Sequence, residues 1–270
     1  MAKSALLKSS IGKKYWMALT GLFLCVFLVG HLAGNLQLIF GTQLQFNEYA
    51  LFMTSNPAVK ILSYVTYISI LFHAVDGILL TIQNKKARPI GYAKNNAASN
   101  SAWHSRNMAV LGTLILVFIA THMVNFWAKM HFSEMPLQTT TIEVQPGMVQ
   151  DFYVTTQGGY LPKDGVEIKN KTEFFDPTAK VKIAQGYKDL HTITVAFFKD
   201  PKYGLAFTVF YVFSMFVLAF HLMHGFKSAF QSLGANNPRY NGLISGTGIG
   251  FAIIVPLLFA IIPIYIHFIK

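Results

Sequence analysis

Long runs of apolar residues, separated by shorter polar stretches, dominate this chain. Five of the runs are long enough to cross a bilayer, for which an α-helix needs about 20 mostly apolar residues. They cover approximately residues 15–37, 58–82, 107–130, 204–230 and 243–268. The pattern therefore predicts an all-α membrane protein built as a bundle of five transmembrane helices.

The segment between the third and fourth runs, residues 131–203, has the character of a water-exposed region and is called the insertion below. The alternation in TTTIEVQPGMVQDFYVTT predicts two strands around Pro146 and Gly147. The stretch YKDLHTITVAFFKD predicts a short amphipathic helix at the membrane interface. The chain is thus divided into residues 1–130 with three spans, the insertion, and residues 204–270 with two spans.

The composition agrees with a membrane protein, but the net positive charge also raises the possibility of nucleic-acid binding. Of the 270 residues, 53% are hydrophobic and 12% are charged, whereas soluble domains carry about 25% charged residues. The formal net charge is nevertheless +11, from 22 Lys and Arg against 11 Asp and Glu. A basic excess of this size is also found in nucleic-acid-binding proteins. Here the basic residues lie in short segments beside the spans, so we expect no nucleic-acid partner.

The distribution of basic residues predicts how the chain is oriented. Three segments, the N-terminus, the connection after the second span and the region after the fourth, contain basic residues and no acid. These basic residues are Lys3, Lys8, Lys13, Lys14, Lys85, Lys86, Arg88, Lys94, Arg106, Lys227 and Arg239. Because basic residues stay on the cytoplasmic side, we expect a cytoplasmic N-terminus and a periplasmic insertion. The same basic rim is a candidate docking surface for cytoplasmic partners.

Histidine occurs inside four of the five spans, and ionisable residues within a membrane are costly and usually functional. The residues are His31, His73, His122 and the pair His221 and His224. At a rise of 1.5 Å per residue, His73 and His221 lie near the inner face, and His31 and His122 lie about 15 Å further out. Two levels with two histidines each predict two haems with two axial histidines apiece. Such ligation is typical of electron transfer, because oxygen chemistry leaves one axial position open.

The residues beside the histidines favour pairing His73 with His221 and His31 with His122. Gly77 and Gly225 follow the two inner histidines by four residues, where a missing side chain lets a flat macrocycle approach the helix. The alternative interpretation is that the glycines serve tight helix packing. His224 is an alternative ligand to His221, or a partner for a haem propionate or a quinone.

Two further charged residues are candidates for a role at these sites. Arg106, at the start of the third span, is a candidate clamp for a haem propionate because guanidinium binds carboxylates through two parallel hydrogen bonds. It fits equally well as a residue that flanks a span on the cytoplasmic side. Asp76, one turn beyond His73, is expected to have an interhelical partner or a proton-linked role. The single cysteine, Cys25, excludes a disulfide framework or a cysteine-based metal site.

The chain resembles the dihaem cytochrome b membrane anchors of succinate:quinone oxidoreductases, which comprise succinate dehydrogenases and quinol:fumarate reductases. The resemblance is greatest to the single-polypeptide, five-helix type of Bacteroidetes-like bacteria. It is carried by MALTGLFLCVFLVGHLAGNL in the first span, LFMTSNPAVK and ILFHAVDGILL at the second, WHSRNMAVLGTLILVFIATHMVNFW at the third and AFHLMHGFKSAFQSLG at the fourth.

This resemblance implies a non-catalytic electron-transfer subunit in the bacterial inner membrane, bound on its cytoplasmic side by an iron–sulfur subunit and a flavoprotein subunit. It implies two haem b groups, the inner one held by His73 and His221 and the outer one by His31 and His122. Electrons would pass between the iron–sulfur subunit and a membrane quinone, commonly menaquinone. Some members use an acid near the outer haem in quinol oxidation, and Glu48 is the candidate for it here.

Two departures from the family and two alternative functions stay open. No acid stands among residues 217–220, directly before His221, where some fumarate reductases have one for proton transfer, and the insertion is longer than a simple connection. The first alternative is another dihaem, quinol-oxidising cytochrome b, although those carry paired histidines on the same two helices. The second is a proton-coupled transporter that uses the histidines and Asp76.

Overall fold

The computed structural model describes residues 9–87, 89–90 and 96–270. Four basic residues on which the predicted orientation rests, Lys3, Lys8, Arg88 and Lys94, lie outside these ranges. About 70% of the chain is helical. The helices in chain order are α1 (Ser10–Asn35), α2 (Gln37–Phe40), α3 (Gln43–Ser55), α4 (Pro57–Ala87), α5 (Ala97–Asn100), α6 (Trp103–Arg106), α7 (Met108–His122), a π-helix (Met123–Ala128), α8 (Lys129–Phe132), α9 (Leu190–Phe198), α10 (Gly204–Ser232) and α11 (Pro238–Phe268).

Within the residues that the structure describes, five helical segments are long and apolar enough to cross a membrane, which confirms the five predicted spans. They are Ile11–Phe40, Pro57–Ala87, Met108–Phe132, Gly204–Ser232 and Pro238–Phe268. Each is longer than the apolar run that predicts it, because the helix continues into flanking polar residues. Large apolar side chains on their outer faces are exposed, among them Val26 at 70% and Leu71 at 61%. A bilayer would cover these faces, and the chain is a multi-pass membrane protein.

A glycine turn joins the fourth and fifth spans. Gly234 has a positive φ of 85°, a conformation that residues with a side chain rarely adopt. Its N–H donates to the Gln231 carbonyl at 3.1 Å, and the Ala235 N–H donates to the Phe230 carbonyl at 2.9 Å. These two bonds satisfy carbonyls at the end of α10, and α11 then begins at Pro238.

The insertion contains two small antiparallel sheets, which precede α9 in the chain. The strands are β1 (Thr139–Gln145), β2 (Met148–Val154), β3 (Tyr160–Pro162), β4 (Glu167–Lys169), β5 (Glu173–Phe175) and β6 (Lys182–Gln185). They pair in the orders β1-β2-β3 and β4-β5-β6, and Pro146 and Gly147 form the turn between β1 and β2. Phe174 is fully buried in a small core with Leu137 and Ala184.

The insertion docks on one end of the bundle, called the insertion end below, through a buried polar network. Asn47 of α3 is 1% exposed. Its Nδ2 donates to Gln138 Oε1 and to Asp189 Oδ1, both at 3.0 Å. Its Oδ1 accepts the His191 backbone N–H at 3.0 Å. Because each of these buried groups is paired, the network fixes α3 to two parts of the insertion, the residue before β1 and the start of α9.

The largest apolar core lies at the same end. It joins α1, α2, α3, α9, α10 and α11 through Leu32, Leu38, Phe46, Phe198, Tyr211, Val255, Ile262 and Ile266. The opposite end, called the basic end, carries Lys13, Lys14, Lys85, Lys86 and Lys227 where α1 begins and α4 and α10 end. The up-and-down order of the spans therefore separates a basic rim from the docked insertion.

Candidate functional site

His73 on α4 and His221 on α10 face each other in the half of the bundle nearer the basic end. Their ring centroids are 6.1 Å apart, and the ring planes are inclined by 61°. His73 Nδ1 lies 3.2 Å from the Met17 carbonyl oxygen of α1. When the Nδ1–H donates to this carbonyl, the Nε2 lone pair is free to bind a metal. The helix α1 thus orients the His73 ring toward His221.

Two residues of α1 that the sequence analysis did not single out complete this contact. The hydroxyl of Thr20 lies 3.3 Å from His73 Nδ1. A Cβ on Gly21 would lie 3.2 Å from His73 Cε1, which is closer than most side-chain contacts. The glycine therefore lets α1 approach the imidazole ring. Both residues belong to the MALTGLF stretch. The sequence therefore contains this small-residue pair, but it does not indicate which histidine the pair contacts.

His31 on α1 and His122 on α7 form a second facing pair nearer the insertion end. Their ring centroids are 5.9 Å apart with planes inclined by 84°. Aromatic side chains surround them, with Phe27 stacked on His31 at 5.3 Å and Phe118 beside His122 at 5.6 Å. Asn35 Nδ2 approaches His31 Nδ1 at 3.4 Å.

The two pairs lie at different depths. Tyr211 on α10 contacts His122, with ring centroids 6.0 Å apart. His221 follows Tyr211 by ten residues on the same helix, which corresponds to about 15 Å along the axis. The four histidines from four different spans are therefore gathered into two pairs, stacked along the bundle.

A π-helix begins directly after His122 and was not foreseen from the sequence. It covers Met123–Ala128, and π-helical turns inside α-helices are frequent at functional sites. The extra residue in this turn changes the direction of the side chains that follow. Asn125 Nδ2 donates to the Tyr211 hydroxyl at 3.3 Å, which ties α10 to the turn beside the second pair.

Both pairs fit the axial ligation of a haem. A metal–imidazole bond is about 2 Å long, so two imidazoles on opposite faces of one iron have ring centroids roughly 6 Å apart. The Nδ1 atoms of His122 and His221 are buried without a hydrogen-bond partner in the described part of the chain, so no interhelical hydrogen bond through this nitrogen explains why these two rings are buried. Within residues 9–87, 89–90 and 96–270, no three metal-ligating side chains come together. A haem needs only two from the protein, because the porphyrin supplies the other four.

The glycines beside the histidines differ in what surrounds them. A Cβ on Gly77 would meet no atom within 4 Å, and one on Gly225 would meet only His221 Cδ2 at 4.0 Å. Both therefore border open space beside the first pair, as a flat macrocycle requires. Gly34 instead lies against the ring of Tyr49, whose Cζ would be 2.7 Å from an added Cβ. At Gly34 the packing interpretation holds.

His224 belongs to a third contact at the basic end, separate from the first pair. Its Nδ1 lies 2.8 Å from the Ser105 hydroxyl oxygen, and its ring centroid is 6.3 Å from that of His104. His104 was not among the candidate residues, and its Nδ1 is buried without a partner in the described residues. The structure thus brings His221 to His73 and turns His224 toward α6.

The other predicted charged residues occupy different surroundings. Arg106 is exposed, and its Nη1 donates to the carbonyl oxygens of Ala97 and Ser101, so the guanidinium holds the turn after α5. Asp76 is 9% exposed on α4, one turn beyond His73. In the described part of the chain, neither Arg106 nor Asp76 is hydrogen-bonded to a histidine ring.

Glu48 lines an open cleft at the insertion end. The cleft has a volume of about 660 Å³ and lies between the end of α1, α2 and α3. Its apolar wall residues are Ala33, Leu36, Phe40 and Phe52. Its polar wall residues are Gln37, Gln45, Glu48 and Tyr49. The Tyr49 hydroxyl donates to the Gly30 carbonyl at 3.3 Å, one residue before His31. Tyr49 therefore links the cleft to the segment of α1 that carries His31.

Comparison of the chain with protein-family models, with curated proteins and with solved structures gives no match. The features of the chain that bear on its function are therefore the two histidine pairs, the cleft and the sequence motifs.

Proposed function

We propose that the chain is the membrane-anchor cytochrome b subunit of a succinate:quinone oxidoreductase in a bacterial inner membrane. The observation that carries this proposal is that four histidines form two facing pairs at two depths of one bundle. The ring centroids are 6.1 Å apart within the first pair and 5.9 Å apart within the second. Each haem, when bound, supplies one-electron redox chemistry. Four spans contribute one ligand each, whereas the alternative dihaem cytochromes place two ligands on each of two helices.

In this proposal the chain's residues hold and orient the two haems. His73 and His221 are the axial ligands nearer the basic end, and His31 and His122 are those nearer the insertion end. The Met17 carbonyl fixes the His73 ring, and the open space beside Gly77 and Gly225 receives the macrocycle edge. The aromatic rings around His31 and His122 exclude water from the second site.

The contact of His224 with Ser105 and His104 suggests how the propionates of the inner haem are bound. His224, with Ser105 and His104, lies one turn toward the basic end from His221. Neutral imidazole N–H and hydroxyl groups donate hydrogen bonds to carboxylates. We assign this group to the propionates of the inner haem, with Arg106 as a second candidate at the same end.

The cleft beside Glu48 is the proposed quinone site. A quinone headgroup needs polar partners for two oxygens and an apolar surface for its ring and isoprenoid tail. The cleft offers Gln37, Gln45 and Tyr49 as polar groups and Leu36, Phe40 and Phe52 as apolar ones. Glu48 is the group that would exchange a proton with menaquinol or a related quinol.

The basic end is the proposed docking face for the iron–sulfur and flavoprotein subunits. Lys14, Lys85, Lys86 and Lys227 are exposed there, so an acidic surface on the partner would complement them. Electrons would then enter or leave on the side of His73 and His221. In this proposal the partners lie on the cytoplasmic side and the insertion lies in the periplasm.

A difference spectrum of the purified chain tests the proposal. The dithionite-reduced minus oxidised spectrum should show b-type haem, and pyridine haemochrome analysis should give two haems per chain. Purification from the native membrane should also recover a flavoprotein and an iron–sulfur protein. A chain that contains no haem when purified from cells that synthesise haem would overturn the proposal.

A further inference from the structure

Tyr187 of the insertion reaches the proposed quinone site. It follows β6 and is 6% exposed. Its hydroxyl donates to Glu48 Oε1 at 3.3 Å. The insertion thus contacts the carboxylate that lines the cleft, although the two residues are far apart in the sequence.

The core of the insertion fixes the backbone on both sides of this tyrosine. The Tyr187 carbonyl accepts the Gln138 N–H at 2.9 Å. The preceding Gly186 lies against Phe174, whose Cζ would be 2.7 Å from an added Cβ. The Gly186 N–H donates to the Thr172 carbonyl at 2.8 Å. The position of the phenol therefore depends on the folded sheets rather than on a free loop.

The neighbours of Glu48 are fixed as well. Asn47 enters the buried network with Gln138 and Asp189, and the Tyr49 ring packs on Gly34. The backbone of Glu48 is consequently held from both sides. Its exposed carboxylate would still rotate freely without a partner, since a glutamate side chain has several rotatable bonds.

The phenol remains a hydrogen-bond donor over the physiological pH range. Burial raises the pKa of Tyr187, and the neighbouring Glu48 carboxylate raises it further. A protonated phenol can therefore keep donating its hydrogen bond to the Glu48 carboxylate.

We propose that Tyr187 is a positioning residue for Glu48 and that the insertion is thereby part of the quinone site. The inference rests on the proposed function of the cleft. A quinol hydroxyl gives its proton to the Glu48 carboxylate, which leaves a quinol anion and a neutral acid. Tyr187 holds one carboxylate oxygen, so that the other oxygen stays directed for this transfer. The residue does not itself touch the quinol.

The test is a double-mutant cycle in the intact complex with a soluble menaquinol analogue as the substrate. Tyr187→Phe should lower kcat for quinol oxidation by about tenfold, in line with the loss of one hydrogen bond to a charged group. KM and haem content should stay unchanged. In a Glu48→Gln background the same substitution should have no further effect, because the carboxylate it positions is gone. Tyr160→Phe, at an exposed tyrosine of β3, is the matched control and should behave as wild type.

The outcomes separate this inference from the proposed function. Equal kcat for the wild type and Tyr187→Phe would overturn the inference alone, as would an equal loss in both Glu48 backgrounds, which indicates a structural effect. A wild-type complex without haem or quinol turnover would overturn the proposed function and the inference together. A loss confined to the background with Glu48 supports both.

Discussion

His31 and His122 face each other with their ring centroids 5.9 Å apart and their planes inclined by 84°, although they stand on the first and third spans. His73 and His221 repeat this relationship on the second and fourth spans at 6.1 Å. A single buried histidine is readily explained by an interhelical hydrogen bond. Two facing pairs are better explained by ligands that bind between them, since one ring of each pair, His122 and His221, has a buried Nδ1 with no hydrogen-bond partner in the described part of the chain.

Replacing any one of the four paired histidines by alanine should remove one of the two proposed haems. An alanine cannot supply an axial ligand, so each variant should retain about half of the wild-type haem absorbance. His73→Ala and His221→Ala should lose the same spectral component, and His31→Ala and His122→Ala the other. Redox titration of each variant identifies the component that is missing.

His224→Ala tests the alternative ligand, since this residue lies one turn from His221 and contacts Ser105 instead of His73. It should retain both haems, because the two proposed iron ligands of the inner site stay in place. His267→Ala is the control, because its Nδ1 donates to the Phe198 carbonyl at 2.7 Å. A result in which His224→Ala loses the inner haem and His221→Ala keeps it would reverse the ligand assignment.

A bulky residue at Gly77 should displace the inner haem. The structure leaves open space around a Cβ at this position, and a macrocycle edge is proposed to lie there. Gly77→Leu should therefore lower haem content to about one per chain while the protein remains folded. Gly246→Leu on α11 is the matched control, since an added Cβ there also meets no atom within 4 Å. Equal haem content in both variants would place the macrocycle elsewhere.

Removal of the Asn47 side chain should loosen the insertion from the bundle. Asn47→Ala leaves Gln138, Asp189 and the His191 N–H without their buried partner. The expected loss is about 2–3 kcal/mol of stability, because unsatisfied buried polar groups are costly. Limited proteolysis of the insertion and its thermal midpoint measure this effect. Gln157→Ala, at an exposed position of the insertion, should leave both unchanged.

Acidification should weaken the same docking contact. Burial and then the charge of Lys270 hold the pKa of His191 below its ordinary range, and Asp189 acts in the opposite direction. Lys270 Nζ lies 2.7 Å from His191 Nε2, and the Phe46 ring packs edge-on against the imidazole. The unfolded histidine takes up a proton near pH 6.5 while the folded one stays neutral. The stability it contributes is therefore complete above about pH 6.5 and is lost as the pH falls toward its folded pKa.

The thermal midpoint of the insertion should accordingly decrease between pH 7 and pH 5. His191→Gln, which still offers an acceptor to Lys270, should show a smaller decrease over this interval. An identical pH dependence in the variant would assign the effect to other groups.

The sequence by itself determined the five spans and the depth of each histidine. A bilayer demands a minimum apolar length, and the rise per residue of a helix is constant, so both properties can be read along the chain. The turn at Pro146 and Gly147 has an equally local cause, since it depends on neighbouring residues.

Only the tertiary structure decided which side chains meet. The direction of His224 toward Ser105, the approach of Gly21 to His73 and the use of Arg106 to hold a turn depend on how each helix is rotated against its neighbours. That rotation is set by packing among the spans, and no single segment encodes it. The contact between Tyr187 and Glu48 requires, in addition, that the insertion fold and dock, because only then do these two residues, far apart in the sequence, come into hydrogen-bond distance.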